Sequence, residues 1–208
     1  MEIVTTVEEL EQVIGVPKGN ALDKERDRLH ELDEQWIANS RFCVIGTADA
    51  HGGCTVSPKG DPAGFTHVLD EKTIVIPDRP GNRRVDALRD ILVNPQVGLL
   101  FLIPGRTDTL RVNGRARLVK DGPFFDELTV KGHRPQIAIL VEVEEVFYHC
   151  SKAFLRSELW KPETWEPTKM PRRSIIAREL EANGRSLEEL DRHYAPENYN
   201  KGLYNQVH

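Results

Sequence analysis

Three guanidiniums, those of Arg79, Arg83 and Arg84, sit in the stretch I-P-D-R-P-G-N-R-R (Ile76 to Arg84), just ahead of an apolar helical stripe. A helix N-terminus carries unpaired N–H groups and the positive end of the peptide dipole, so a cluster of cations there is locally unfavourable. The same arrangement becomes favourable around a phosphate, which accepts bidentate, charge-assisted bonds from arginine and neutral ones from backbone N–H groups. Asn82 adds an amide, and its residue type also suits a helix cap. The competing reading is a solvated basic turn neutralised by Asp78 and Asp86, and charge pattern alone leaves both open.

Other chemistry is thinly represented. His30, His51, His67, His133, His149, His193 and His208 show no H-x-x-x-H or H-E-x-x-H spacing, so no protein-built metal site is expected. Cys43, Cys54 and Cys150 are odd in number and lack C-x-x-C, which fits small buried thiols better than a disulfide framework. No acid, base or nucleophile constellation emerges.

The elements that must position the arginines follow from periodicity. Ile74 to Ile76 is a β-branched run, Pro80-Gly81-Asn82 is turn chemistry, and Val85, Leu88, Ile91 and Leu92 form a helical stripe that stops before Asn94-Pro95. Strand patterns cover 42–47, 54–57, 64–69, 72–77, 97–103, 109–120 and 137–148, with turns at Gly52-Gly53, Asp70-Glu71 and Pro104-Gly105. Six or so antiparallel strands with one inserted helix predict a closed barrel, with an open sandwich as the alternative. Alternation in the sixth puts Arg111, Asn113 and Arg115 opposite Leu110 and Val112. Pro123 to Val130 is a further candidate helix.

Helices are expected at both ends. Thr6 with Glu9 makes a capping box, and a second helix begins after Asn20, with Leu22, Leu29, Leu32, Trp36 and Ile37 on one face. Ser151 to Leu159 reads as a helix leading to Trp160, and an extended segment follows through Pro162, Pro167 and Pro171. Ser174 is placed to cap Ile175 to Asn183, Ser186 to cap a helix through His193, and residues 202–208 are expected to fray.

Four blocks occur in order: V-S-P-K-G-D (Val56 to Asp61), I-P-D-R-P-G-N-R-R (Ile76 to Arg84), N-P-Q-V-G-L-L-F-L-I-P-G (Asn94 to Gly105) and T-L-R-V-N-G-R-A (Thr109 to Ala116). Together they resemble the pyridoxamine 5'-phosphate oxidase-like FMN-binding split-barrel flavoproteins, in particular a bacterial subgroup, and the likeness runs from about Phe42 to Trp160. The resemblance implies a mainly β fold with flanking helices (α+β), built on a six-stranded antiparallel split β-barrel. Length and patterning then give one structural domain: a helical segment over residues 1–40, the implied FMN-binding barrel over 41–160 and a helical appendage over 161–208.

FMN is the implied cofactor. Ser57, Pro58 and Lys59 would lie along it, Pro77 and Asp78 would offer backbone to the ring, and Arg79, Asn82 and Arg83 would take the phosphate. Such proteins share each pocket between two protomers, so a homodimer is implied, with Arg111 reaching in from the partner chain and Leu99 to Ile103 near the interface. Ser151, Lys152 and Trp160 resemble the group that closes over the flavin, with a packed core tryptophan as the competing reading of Trp160. The implied activity is an FMN-dependent oxidoreductase acting on a small, unidentified substrate. Deazaflavin or haem in place of FMN, or storage and sensing without turnover, are the alternatives. They stay open because no counterpart of the substrate-phosphate motif of true pyridoxamine phosphate oxidases surrounds Trp160.

Composition narrows the partners. The 208 residues suffice for one substantial core, and a net charge of -5 with a pI near 5.8 argues against general nucleic-acid affinity. No apolar run approaches the roughly 20 residues that span a bilayer, and the N-terminus lacks a signal-peptide pattern, so a cytoplasmic protein is expected.

Overall fold

The computed structural model describes residues 1–16, 18–19, 23–181 and 184–204. The expectations for Leu22, Asn183 and residues 205–208 lie outside these.

Among the described residues seven strands form one antiparallel sheet: β1 (Phe42–Ala48), β2 (Cys54–Gly60), β3 (His67–Asp70), β4 (Thr73–Pro77), β5 (Gln96–Leu102), β6 (Thr109–Val119) and β7 (Ala138–His149). Their order is β2-β1-β5-β6-β7-β4-β3. The expected count of six is therefore corrected to seven. The long β7 pairs with β6 along its length and with β4 over Thr73 to Pro77, which brings the β3–β4 hairpin into the same sheet. The expected closure is corrected too. Among the described residues β2 and β3 are edges that do not pair with each other.

One face of the sheet wraps the main core, in which Cys43, Ile45, Leu99, Phe101, Leu110, Val112, Ile74, Ile76, Val141 and Val146 are buried. Helix α1 (Val7–Ile14), capped by Thr6, adds no buried residue to it, whereas α2 (Glu31–Asn39) adds Trp36 and Ile37, and α3 (Asp86–Val93) adds Leu88 and Ile91. The single helix expected after Asn20 is not formed over the described residues 23–30. Arg26 instead exchanges two backbone hydrogen bonds with Val146 of β7, and the helix starts at Glu31 behind a capping box made by His30 and Asp33. Leu29 is buried as predicted, whereas Leu32 and, in α3, Leu92 face solvent. Pro123 to Val130 is likewise no helix. It runs as successive i→i+3 turns, which place Phe125 and Leu128 against Val75 and Ala138 on the back of the sheet.

Towards the C-terminus, α4 (Lys152–Ser157) is shorter than predicted, ended by Glu158 in the left-handed region. Helices α5 (Arg173–Leu180), α6 (Leu187–Tyr194) and α7 (Pro196–Tyr199) follow. Ser186 caps α6 as expected, with Glu189 completing the box. Ser174 does not cap α5; it lies inside the helix, buried, with its hydroxyl donating to Asp191 of α6.

A bulge explains how β7 changes face. Asn113 pairs with Glu145 but Gly114 pairs with Val143, so Glu144 is extra, and burial moves from Val141 and Val143 to Val146. The close approach needs glycine on β6. A Cβ added at Gly114 would lie 2.0 Å from the Glu142 carbonyl oxygen. Gly114→Ala is therefore expected to destabilise the fold by about 3 kcal/mol, whereas Gly81→Ala, which meets nothing within 4 Å, should leave the urea midpoint in place.

Candidate functional site

The site begins where β2 ends. Ser57 pairs with Ile45 and Lys59 with Cys43, so both share the face of those core residues. Across the unpaired seam, Lys59 Nζ donates to Asp78 Oδ1 at 2.5 Å, with both side chains largely buried. One step further on, Arg79 Nε donates to Asp61, whose side chain is only 2% exposed. The rest of the Arg79 guanidinium faces carbonyls, with Nη2 donating to Leu128 at 2.8 Å and Nη1 to His133 at 3.3 Å. The arginine is thus satisfied on three sides by the protein itself. Sequence reasoning gave it to phosphate or to a turn neutralised by Asp78 and Asp86, and its carboxylate partner is neither of those but Asp61.

After Arg79 the chain turns sharply into α3. Arg83 and Val85 both have positive φ, 61° and 49°, a conformation costly for a β-branched residue such as valine and frequent at functional sites. This turn displaces the expected cap. Val85, not Asn82, is the N-cap of α3, and Asn82 Oδ1 accepts instead from the Arg84 backbone N–H at 3.0 Å. Thr47 Oγ donates to buried Asp90 at 2.7 Å, which fixes α3 on β1 and with it the end of the turn. Arg84 pairs with Asp86 at the surface, as the solvated reading proposed, but Asp78 pairs with Lys59 rather than with an arginine.

The turn, the end of β2 and the start of α3 enclose a groove of about 530 Å³. Ser57, Pro58, Lys59, Asp78, Arg79, Asn82 and Arg83 all line it, joined by Arg84 and Tyr199. Pro77 does not. It is buried at the end of β4, paired with Ala138.

Arg111 lies elsewhere. It lines a second groove, again about 530 Å³, on the outer face of the sheet with Val44, Val56, Gly98, Leu100, Asn113 and His149. Since side chains alternate along a strand, Val56 of this groove and Ser57 and Lys59 of the first point to opposite faces of β2. Arg111 Nε donates to Asn113 Oδ1 at 3.2 Å, Asn113 donates to Glu145 at 2.6 Å, and the Arg111 guanidinium stands 5.1 Å from the Phe147 ring centre. Burial, then the charges of Arg111 and Lys24, lower the His149 pKa and favour its neutral imidazole.

Ser151 and Lys152 open α4, whose Ala153 and Phe154 line this second groove. Trp160 stacks on Phe154 at 6.0 Å and donates from Nε1 to the Arg106 carbonyl at 2.6 Å. Among the described residues no group of three His, Cys, Asp or Glu side chains could hold a metal ion, and no helix is long and apolar enough to cross a membrane. Burial pushes the Cys43 thiol up to about 12, which suits an inert core residue.

Sequence reading missed Asp61, Tyr199 and Tyr204. Asp61 closes the V-S-P-K-G-D block, but its residue type alone gave it no role there. The tyrosines reach the site only through tertiary packing, for which local sequence holds no signal.

A curled antiparallel sheet with a cationic groove at its seam defines the structural class. The Pyridoxamine 5'-phosphate oxidase family model matches residues 29–150, more than half of the chain, and the chain belongs to that family. No curated protein matches it. Among solved structures it is similar to HupZ of Group A Streptococcus, at 20% identity over 58% of this chain and 93% of that one, with a TM-score of 0.46. It is also similar to a candidate pyridoxamine 5'-phosphate oxidase of Lactobacillus delbrueckii (24% identity, 60% and 98% covered, TM-score 0.47) and to an F420 reductase (16%, 56% and 94%, 0.40). The family assignment rests on the family model.

The buried pair makes a direct prediction. Asp61→Asn leaves the Arg79 charge without its carboxylate and should cost on the order of 3 kcal/mol of stability, read from urea unfolding, whereas Asp86→Asn at the exposed Arg84 pair should cost under about 1 kcal/mol.

Proposed function

We propose that this chain binds FMN and works as a flavin-dependent oxidoreductase on a small organic substrate. The observation that carries the reading is one groove lined by Lys59, Arg79, Arg83 and Arg84 beside a helix start, with the Asn82 amide among them. That donor set fits a phosphate dianion, which wants several charge-assisted donors at once. Arg83, Arg84 and Lys59 would bind it, with Lys59 and Arg84 turning from or sharing their bonds to Asp78 and Asp86, while Arg79, held on three sides by the protein, would contribute a fixed positive charge. Ser57 Oγ lies at the same strand end, where a ribityl hydroxyl would follow the phosphate.

An apolar ring needs an apolar wall. The second groove offers one, with Val44, Val56 and Leu100 flanking the flat surface at Gly46 and Gly98. Because that wall is on the opposite face of β2, a homodimer is the arrangement we infer, in which a second copy lays its outer face, including Arg111, against the flavin held by the first. Bound there, the flavin supplies the electron-transfer chemistry, and the protein's part is to bind, orient and exclude water. His149, kept neutral beside Arg111, is placed to donate or accept a hydrogen bond at that wall.

Titration of the purified protein with FMN and with riboflavin tests this reading. FMN should bind much more tightly, and Arg83→Ala with Arg84→Ala should weaken it about a hundredfold through two lost charge-assisted contacts, leaving riboflavin unchanged. Equal affinity for the two ligands would overturn the phosphate assignment. In the same sample, sedimentation should give twice the 23.6 kDa chain mass.

A further inference from the structure

Tyr204 is distant in sequence from the cationic turn yet touches it at its root. Its hydroxyl donates to Asp61 Oδ1, while Oδ2 of the same carboxylate takes Arg79 Nε. Its ring stacks on His133 with centres 5.6 Å apart and planes at 15°, and His133 supplies a carbonyl to Arg79. The Arg79 guanidinium stands 5.8 Å from the Tyr204 ring centre and Lys131 Nζ 5.5 Å from it. Tyr204 thus sees all the members of the network that immobilises Arg79 except the Leu128 carbonyl.

The same segment reaches round to the other side. Tyr199 lines the cationic groove itself, and Gly202 and Leu203 face Pro80, Gly81 and Asn82 across an adjoining cleft of about 470 Å³. Tyr204 bounds a separate cavity of about 430 Å³ behind Arg79. Residues 199–204 therefore straddle the turn with one tyrosine on each side.

We propose that Tyr204 is a positioning residue for the anion site: through Asp61 and Arg79 it holds the Pro80–Val85 turn in shape, and residues 199–204 clasp that turn from both sides. The inference rests on the FMN reading and deepens it. The left-handed backbone at Arg83 and Val85 is costly and persists only where the surroundings over-determine it. The clasp supplies that constraint. Burial and the Asp61 carboxylate raise the Tyr204 pKa, so the phenol stays a donor throughout the neutral range.

The test compares the full chain with Tyr204→Ala and Tyr204→Phe. Without ligand, Tyr204→Ala should speed amide hydrogen exchange in the turn at residues 81–85 while β5, β6 and β7 exchange as before. With FMN it should raise the release rate about tenfold, the consequence of losing one hydrogen bond to a charged group, and leave riboflavin affinity unchanged. Tyr204→Phe, which keeps the ring, should fall between. Unchanged exchange in the turn, or equal weakening of FMN and riboflavin, would overturn the proposal. Absence of FMN binding by the unaltered chain would instead sink the cofactor reading, and hydrogen exchange would still decide the clasp.

Discussion

The ion pair between Asp61 and Arg79 is the constraint on which the rest of the site depends. Asp61 follows β2, at one edge of the sheet, and Arg79 follows β4, the strand next to the opposite edge. Backbone hydrogen bonds do not join those edges among the described residues, so side chains do it, with Lys59–Asp78 as a second link alongside. Burying charge is costly, and a pair of this kind gains little net stability over an apolar contact of the same size. What it gains here is geometry. A guanidinium bonded to one carboxylate and two carbonyls has a single orientation, and the turn that leaves it is correspondingly fixed.

Everything distinctive about the groove follows from that anchoring. With Arg79 held, the chain must reverse within a few residues to start α3, and it does so through left-handed Arg83 and Val85. The reversal lifts Asn82, Arg83 and Arg84 to the surface of the groove while Thr47 and Asp90 lock the helix beyond them. Cations accordingly gather at a helix start, where the dipole alone would reject them. Cationic and apolar surfaces end up on opposite faces of β2, and under the proposed reading a ligand that is anionic at one end and flat at the other would bridge two copies of the chain.

Much of this was legible in the sequence. β-branched runs and alternation placed all seven strand segments, even though they were counted as six, because the short β3 belongs to a hairpin whose attachment to β7 is non-local. Seven of the predicted ligands, Ser57, Pro58, Lys59, Asp78, Arg79, Asn82 and Arg83, share one groove, since they come from two short segments whose ends the sheet brings together. The errors have physical causes. Asn82 has the right type for a cap, but Val85 takes that position once the turn is strained. The apolar spacing around Leu29 fits a helix, yet the pairing of Arg26 with Val146 wins. Phe125 and Leu128 are spaced for either an α-helix or consecutive turns, and periodicity does not distinguish them. Tyr199 and Tyr204 reach the site only by the fold of the C-terminal helices.

The central claim is that the groove holds a phosphate dianion, and phosphorus NMR of the FMN-loaded protein tests it most directly. Free FMN phosphate takes up its second proton near pH 6, roughly as other phosphomonoesters do. Held by Lys59, Arg83 and Arg84, the bound phosphate should keep a single dianion resonance from pH 8 down to about pH 5. A bound resonance that titrates like free FMN would contradict the account.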